Sequence, residues 1–317
     1  MPDTGVLVLN AGSSSLKFAV FRNLASGEDP GAVLRGQISG IDSSPVFSSH
    51  IETKQSAGRR ESIEVDAVDT HQKAIEFALR WIEEHSNEMP LVGVGHRVVH
   101  GGPDRRRPAL VTPELMLELD TLSPLAPHHQ PHNLAAIRAV SAAAPGLPQV
   151  ACFDTAFHAT QSDVARCLPL PRALRDKGLQ RYGFHGLSYE YITSAVSAYN
   201  DGDMPGRLLV AHLGNGASLC AVREGASVAT SMGFSTLDGL LMGTRSGSID
   251  PGVLLHLMRE ERMDETALSN LLYNESGLLG VSGISADMQV LLNSSDAAAK
   301  EAVDLFCYTL VRAIGSD

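Results

Sequence analysis

Residues that bind anions stand close together near the start of the chain. An apolar, β-prone run from Gly5 ends at Asn10 and Gly12, three serines follow, and a second apolar run begins after Lys17. This order predicts a strand, a tight polar turn and a strand. Small residues let backbone N–H groups approach an anion, and the hydroxyls and the lysine add donors. We predict a phosphate-binding hairpin; for this turn alone, an ordinary hairpin with a solvated serine tip is the alternative.

The same order of residues recurs in the second half of the chain. From Arg207 onwards, an apolar run leads into a small polar turn and a further apolar run. A shift of 202 positions places Gly12 over Gly214 and Ser14 over Gly216. We interpret the two hairpins as halves of a duplicated domain with a nucleotide between its lobes. A chance match of so few identities is the alternative.

Two arginines stand where an anionic substrate could meet them. Arg97 lies in an apolar, strand-forming run, and a period of two places Val99 on the same face. A guanidinium beside an apolar wall suits a small carboxylate with a short alkyl tail, because arginine binds planar anions bidentately. A structural ion pair is an equal alternative. Arg245 lies in the glycine-dense stretch 232–252, which we predict to be an active-site loop.

An acid and a histidine stand at the ends of further predicted elements. Asp154 lies at the end of a strand predicted from Gln149 onwards, a usual position for a catalytic or metal-associated acid in α/β folds. His185 lies at a turn between an aromatic residue and glycine, although a single histidine is more often structural. The adjacent His128 and His129 do not indicate a metal site, because neighbouring side chains rarely bind one ion.

The composition limits the class of protein. The 317 residues, 44% of them hydrophobic, allow two domains with their own cores. The formal net charge of −11 argues against nucleic-acid and membrane-surface partners, so an anionic substrate must meet a local cluster of cations. The four cysteines have neither metal-ligand nor disulfide spacing, and no signal segment or membrane-spanning run is evident. We expect a cytoplasmic protein.

Strand-like and helix-like segments alternate and predict an α/β fold with mixed sheets flanked by helices. A meander of short strands is expected from about Ala25 to Arg60. Helices are expected at residues 70–86, from Thr112-Pro113 onwards, at 134–144, at 188–199 and from Asp296 to Gly315. We place the boundary near residue 155, which gives an N-terminal lobe 1–155 and a C-terminal lobe 156–317.

Seven motifs, taken in order, resemble those of the acetate kinase family: VLVLNAGSSSLKF, GHRVVHGG, FDTAFH, YGFHGLS, HLGNGAS, TSMGF and GTRSGSIDPG. The similarity runs from Val6 to about Asp287. It implies a two-lobed, duplicated actin-like ATPase fold. It also implies reversible, ATP-dependent phosphorylation of acetate to acetyl phosphate with Mg²⁺ or Mn²⁺, in a homodimer.

The resemblance further implies a role for each matching residue. Asn10 matches a magnesium-associated asparagine. The residues that match catalytic positions are Asp154, His185 and Arg245. Contacts with the acetate are implied for Arg97, Val99, His129 and Phe184. Contacts with ATP are implied for Lys17, Ser13, Ser15, His212, Leu213, Gly214, Asn215, Gly216, Asp287, Met288 and Gln289. Because a carboxylate is already a nucleophile at neutral pH, we expect Asp154 to position metal or substrate and not to act as a base.

The chain departs from the family pattern in three places. It stops at Asp317, so we expect the adenosine loop, a later magnesium-associated glutamate and the final helix to be missing. Met288 and Gln289 replace an aromatic or apolar residue and an arginine, which should weaken nucleotide binding. His128 and Thr236 replace leucine and proline in the acyl pocket, which puts strict acetate preference in doubt. Two alternatives stay open: a propionate or butyrate kinase, and an inactive truncated remnant unable to bind ATP tightly.

Overall fold

The computed structural model describes residues 4–22, 31–41, 43–53, 56–65, 68–86 and 89–316. Two compact units make up the chain, Met1–Asp154 and Thr155–Asp317, here called unit 1 and unit 2. Residues 25–30 of the expected meander and the last residue, Asp317, lie outside the described residues. None of the helices in the described part of the chain is long and apolar enough to cross a membrane.

Unit 1 contains a mixed sheet of eight strands. The strands are β1 Gly5–Ala11, β2 Ser15–Arg22, β3 Ala32–Ser39, β4 Val46–Thr53, β5 Ser56–Glu64, β6 Leu91–Val98, β7 Ala109–Leu110 and β8 Gln149–Phe153. Their order is β5-β4-β3-β2-β1-β6-β8-β7. The neighbours β1, β6 and β8 run parallel, and the remaining pairs are antiparallel. The carboxyl ends of β1, β6 and β8 therefore lie at one edge of the sheet.

Alternating side chains give this sheet one buried face and one open face. In β2, Leu16, Phe18 and Val20 are buried, whereas Lys17 between them is exposed. Gly36 lies beside the Phe18 ring, since a Cβ at that position would be 2.2 Å from the ring. The same period places Asn10 of β1 on the open face.

Helices cover the buried face of the sheet. They are α1 His71–His85 and α3 Gln130–Ala143, whereas α2 Pro113–Thr121 packs on α3 and is followed by a 3-10 turn at Ser123–Leu125. Thr70 caps α1, because its hydroxyl accepts a hydrogen bond from Lys73 N. Trp81 of α1 is buried and meets Phe18 and Phe47 edge to face at 5.8 and 5.3 Å between ring centroids. The aromatic contacts fix α1 on the sheet.

Unit 2 combines a small antiparallel sheet with short helices. Its strands, in the order β11-β10-β9, are β9 Arg207–Leu213, β10 Ala217–Arg223 and β11 Ala226–Thr230. Its helices are a 3-10 helix at Ala156–Thr160, α4 Asp163–Arg166, α5 Arg172–Arg175, α6 Gly186–Tyr199, α7 Pro251–Arg259, α8 Glu265–Asn274, α9 Gly277–Ser282, α10 Met288–Leu292 and α11 Ala297–Ser316.

Two clusters of apolar residues stabilise unit 2. One joins α6 to the sheet through Tyr189, Val210 and Cys220. The other lies among α9, α10 and α11, and Leu278 and Leu291 are among its buried members. The long stretch between β11 and α7 contains no described helix or strand.

The element predictions were mostly confirmed, with two exceptions at helix boundaries. Helix α3 begins at Gln130, four residues before the predicted start, because Pro131 occupies its first turn, where its missing N–H costs no hydrogen bond. Helix α11 continues through Gly315 to Ser316, so Gly315 does not end it as predicted.

Both predicted hairpins are present, but the turn of the first is one residue longer than that of the second. The first pairs Ala11 with Leu16, which leaves four residues in the turn. The second pairs Leu213 with Ala217, which leaves three. The duplication in the sequence is therefore a duplication of strands with turns of unequal length.

Candidate active site

Three predicted site residues meet at the carboxyl edge of the unit 1 sheet. Asn10 and Arg97 are the last residues but one of β1 and β6, and Asp154 directly follows β8. These three strands are parallel and adjacent, so their ends bring residues far apart in sequence to one place.

Hydrogen bonds join these three side chains into one cluster. Arg97 Nε donates to both carboxylate oxygens of Asp154, at 3.1 and 3.0 Å, and Nη2 donates to Oδ2 at 2.6 Å. Nη1 donates to Asn10 Oδ1 at 3.2 Å. Asp154 is 1% exposed and Arg97 35%. The carboxylate therefore fixes the guanidinium from the protein side, while about a third of the Arg97 side chain is exposed.

The electrostatics of the pair keep Arg97 charged. The nearby Asp154 carboxylate raises the pKa of Arg97, and this effect exceeds the opposing effect of burial. A guanidinium carries five N–H donors. The N–H groups of Nη1 and Nη2 that do not bond Asn10 or Asp154 bond no other described residue, so they can bind an anionic ligand.

A buried amide of α3 connects the strand ends that carry Asn10 and Arg97. Asn133 Oδ1 accepts a hydrogen bond from Val99 N at 2.9 Å, and its Nδ2 donates to the Ala11 carbonyl at 2.7 Å. Asn133 is 5% exposed. Its two bonds set the spacing between the ends of β1 and β6, a function that nothing in the sequence indicated.

The first hairpin turn presents its polar residues to solvent. Ser13 is exposed and Ser15 half-buried, and the turn is closed by a bond from Gly12 N to the Ser15 carbonyl at 2.8 Å. His71 Nε2 donates to the Gly12 carbonyl at 2.6 Å and so fixes the turn to α1. Lys17 lies on the open face of the sheet.

A cavity of about 690 Å³ lies over that open face. Asn10 and Lys17 line it together with Arg35 and His50 of the neighbouring strands. Its described lining contains cations and neutral polar groups but no carboxylate. This is the local positive charge that an acidic chain needs in order to hold an anion.

The second hairpin turn brings three predicted residues of unit 2 together. A Cβ on Gly216 would lie 3.3 Å from His185 Nε2 and 3.5 Å from Arg245 Nη1. Because Gly216 has no side chain, the space that His185 Nε2 and Arg245 Nη1 both face stays open. Such a space, beside a turn that contains two glycines, suits a phosphoryl group.

The glycine-dense stretch holds Arg245 in place through its own backbone. Arg245 Nη1 donates to the Thr236 carbonyl at 3.0 Å. Gly277, at φ +64°, admits the start of α9 against this loop, since a Cβ there would be 2.2 Å from the Met242 carbonyl. Thr236 is 7% exposed, so this replacement lies inside the protein next to Arg245.

His185 has an unusual backbone and a hydrogen-bonded ring. It adopts the left-handed region at φ 60°, ψ 18°, immediately before α6. Its Nδ1 lies 2.7 Å from Ser218 Oγ, and its ring stacks on that of His212 at 4.1 Å between centroids. The ring is therefore held by side chains from two strands.

A second cavity, of about 490 Å³, adjoins the second hairpin within unit 2. Five residues predicted to contact ATP line it: Leu213, Gly214, Asn215, Asp287 and Met288. Met242 and Gly243 of the predicted active-site loop and Ala286 also line it, whereas Leu278 and Phe306 were not singled out from the sequence. Asp287 also caps α10, since its Oδ1 accepts from Gln289 N at 2.7 Å.

The structure does not bring every predicted residue into these clusters. Gln289 is exposed and does not line the second cavity. Val99 is 3% exposed and lies one residue past the end of β6, and Phe184 is fully buried, with its carbonyl accepting from His158 Nε2 at 2.9 Å. His129 precedes α3 and is half-buried.

No group of three or more His, Cys, Asp or Glu side chains suited to a metal ion occurs among the described residues. The oxygens of Asn10 and Asp154 are nevertheless of the type that Mg²⁺ prefers. Because Mg²⁺ usually binds one or two protein oxygens together with substrate phosphates, this pair fits such an ion in part.

Comparison with known proteins places these observations in a family. A family model described as the acetokinase family matches residues 5–317. The acetate kinase of Rhodopseudomonas palustris (strain ATCC BAA-98 / CGA009) is 47% identical over 313 residues, which are 98% of this chain and 78% of that protein. The acetate kinase of Methylocella silvestris is 45% identical over 314 residues, with the same shares.

Solved structures agree with the sequence comparison. The acetate kinase of Porphyromonas gingivalis matches with a TM-score of 0.84 at 33% identity, covering 99% of this chain and 79% of that one. A propionate kinase from Francisella tularensis matches with a TM-score of 0.89 at 32% identity and the same coverage. These likenesses confirm the predicted fold class.

Proposed function

Since this chain belongs to the acetokinase family, we propose that it transfers the γ-phosphoryl group of ATP to acetate, giving acetyl phosphate and ADP in a reversible reaction. The observation that carries this proposal is Arg97, fixed by a buried carboxylate yet retaining N–H groups for an anion. An arginine oriented in this way binds a planar carboxylate with defined geometry.

Acetate is the nucleophile in this reaction. One carboxylate oxygen attacks the γ-phosphorus while the bond from that phosphorus to the β–γ bridging oxygen breaks, and the electron pair leaves with ADP. No proton has to be removed, because acetate is ionised at neutral pH. Arg97 orients the carboxylate, and Asp154 orients Arg97. Orientation of this kind supplies a large part of the catalysis in phosphoryl transfer.

Residues of unit 2 bind and stabilise the phosphates. The backbone N–H groups of Asn215 and Gly216 approach the phosphate oxygens, whereas that of Gly214 donates to the Gly216 carbonyl at 3.1 Å. Arg245 and His185 donate to the transferring group as charge spreads over its equatorial oxygens. The 490 Å³ cavity beside this turn would accommodate the nucleotide, with Met242, Leu278 and Phe306 as apolar contacts for the base. Contacts with ATP are also proposed for Lys17, Ser13 and Ser15 of the first hairpin.

Magnesium is proposed as the metal, and the side-chain oxygens of Asn10 and Asp154 would hold it. When bound, Mg²⁺ supplies neutralisation of the charge on the phosphate oxygens. The protein's own part is to hold the two oxygens in place, and the bonds from Arg97 do this. The homodimer, the cytoplasmic location and the roles of Val99, His129 and Phe184 likewise stay proposals.

A longer acid is the second candidate substrate. The structural likeness to a protein named a propionate kinase supports it. One extra methylene changes discrimination in an apolar pocket by roughly 10–200-fold. The preferred substrate is therefore identified by comparing kcat/KM for acetate, propionate and butyrate.

The test measures acyl hydroxamate formation from acetate, propionate and butyrate with MgATP. We expect product from acetate with the highest kcat/KM of the series. A maximum at propionate or butyrate would replace acetate as the substrate. If the chain forms no hydroxamate from any acid and titration calorimetry detects no binding of MgATP, the alternative of an inactive remnant would hold instead.

A further inference from the structure

Two buried residues of unit 2 connect in a line to the ring of His185. Ser218 Oγ lies 2.7 Å from His185 Nδ1, and Tyr189 Oη lies 2.5 Å from Ser218 Oγ. Both Ser218 and Tyr189 are completely buried. Ser218 belongs to β10 just after the second hairpin turn, and Tyr189 follows His185 by one turn of α6.

The backbone of His185 is strained in a way that serves this contact. A residue other than glycine in the left-handed region costs about 1 kcal/mol or more and persists where surrounding contacts enforce it. Here the stack on His212 and the bond to Ser218 hold the ring on one side. The opposite ring nitrogen, Nε2, faces the space left open by Gly216.

The hydrogen-bond chain decides which ring nitrogen carries the proton. A neutral imidazole has one N–H donor and one acceptor nitrogen, and the bond made by one nitrogen fixes the state of the other. If Tyr189 donates to Ser218 and Ser218 donates to Nδ1, then Nδ1 is the acceptor and Nε2 carries the proton. With the opposite direction, Nε2 would present a lone pair to an anion and repel it.

We propose that Tyr189 and Ser218 are positioning residues that hold His185 as the Nε2–H tautomer, so that this N–H points at the phosphoryl site beside Gly216. The expected effect on kcat rests on the proposed phosphoryl transfer, whereas the tautomer of His185 can be measured without it. A chain of bonds running in one direction also strengthens each member through polarisation. The same three residues thereby set both the orientation and the donor character of the ring.

The direct test is the tautomer of His185 in the ligand-free protein. Long-range ¹H–¹⁵N spectra of protein labelled at histidine nitrogen distinguish a protonated Nε2 from a protonated Nδ1. The His185 signal among the 12 histidines is identified by its loss in His185→Asn. We expect the Nε2–H form in the unmodified chain and a mixture of tautomers in Ser218→Ala.

A matched control is available in the same sheet. Ser227 is also completely buried, and its Oγ lies 2.9 Å from His158 Nδ1, so Ser227→Ala removes the same kind of bond from another histidine. This control should leave the His185 tautomer unchanged. If Ser218→Ala does not fold, Tyr189→Phe removes the far end of the chain and should produce a weaker shift in the same direction.

Kinetics supply the second readout. Ser218→Ala should lower kcat about tenfold, the equivalent of one lost hydrogen bond, with the KM for acetate unchanged. An Nδ1–H form in the unmodified chain, or an unchanged His185 tautomer in both variants, would overturn the proposal. Absence of acyl phosphate formation would instead contradict the proposed function. The tautomer of His185 would still show whether Tyr189 and Ser218 hold the ring in its Nε2–H form.

Discussion

Asp154 accepts hydrogen bonds from Arg97 through both of its carboxylate oxygens. Nε of the arginine lies 3.1 and 3.0 Å from Oδ1 and Oδ2, and Nη2 lies 2.6 Å from Oδ2. The carboxylate is almost fully buried, whereas a third of the arginine side chain is exposed. A bidentate pair of this kind fixes the plane of the guanidinium, so the direction in which it meets a substrate is set before the substrate binds.

Asp154→Asn should abolish most turnover without introducing a new pH dependence. The amide keeps the shape but places an NH₂ group against the arginine donors, so the plane of Arg97 is no longer fixed. We expect kcat to fall about 100-fold or more and stability to fall by about 1–3 kcal/mol. Steady-state rates from pH 6 to 9 and urea unfolding measure both effects.

The exposed pair Asp120 and Arg138 provides the control for that variant. Arg138 Nη2 donates to Asp120 Oδ2 at 2.6 Å, and both side chains are about half exposed. Asp120→Asn should change neither quantity measurably, because exposed ion pairs contribute little. Near-normal turnover of Asp154→Asn, with normal dependence on magnesium, would contradict the proposed role of Asp154.

Arg97→Lys should separate acetate binding from ATP binding. A lysine keeps the charge but cannot bond Asp154 and a carboxylate through a planar fork. We expect the KM for acetate to rise at least about tenfold, while the KM for ATP changes by less than about twofold. Arg138→Lys is the matched control. An equal rise of both KM values would show that Arg97 acts on the fold and not on acetate.

Gly216→Ala should block the phosphoryl site with a single methyl group. The new Cβ would lie 3.3 Å from His185 Nε2 and 3.5 Å from Arg245 Nη1, inside the space that both groups face. We expect kcat/KM for ATP to fall about 100-fold, with an unchanged unfolding midpoint. Gly206→Ala, whose Cβ would meet nothing within 4 Å, is the control. Full activity of Gly216→Ala would place the phosphates elsewhere.

Two buried histidines should make unit 1 less stable in acid. Burial lowers the pKa of His96 and of His100 to about 4, against an ordinary value of 6.5. Between these values the unfolded chain binds protons that the folded chain does not. The free energy of unfolding therefore falls as the pH drops from about 6.5 to 4, by about 3 kcal/mol for each histidine, and levels off below.

His96→Gln tests this pH dependence. His96 Nε2 donates to Gln149 Oε1 at 2.7 Å, and a glutamine retains a donor but cannot titrate. Trp81 is the sole tryptophan and a core residue of unit 1. Urea unfolding followed by its fluorescence measures the free energy of unfolding at each pH. We expect the variant to lose about 3 kcal/mol less than the unmodified chain between pH 7 and 4. Parallel curves would mean that His96 has the same pKa in the folded and unfolded chain.

Local chemistry made part of this structure predictable from the sequence. The cap at Thr70, the strand that ends before Asp154 and the two hairpins all follow from residue periods and turn residues within short windows. For Arg97 the sequence left two alternatives, a substrate arginine and a structural ion pair. The structure shows the ion pair, and the remaining N–H groups are compatible with both.

Other features depend on contacts between distant parts of the chain and could not be predicted. Asn133 bonds the Ala11 carbonyl across 122 positions, and Phe306 reaches the second cavity only because α11 packs beside α9. The two hairpins also differ in turn length, with four residues between Ala11 and Leu16 and three between Leu213 and Ala217, although the two turns align without a gap in the sequence. No period or motif in the sequence carries this information.

The proposed reaction requires that an acetate oxygen attacks the γ-phosphorus of ATP. The decisive measurement is a ³¹P NMR spectrum of the chain turning over MgATP with acetate labelled with ¹⁸O in both carboxylate positions. We predict acetyl phosphate and ADP in equal amounts, with the label in the bridging oxygen and the corresponding isotope shift. Acetyl phosphate without the bridging label, or ATP converted only to ADP and inorganic phosphate, would contradict the account.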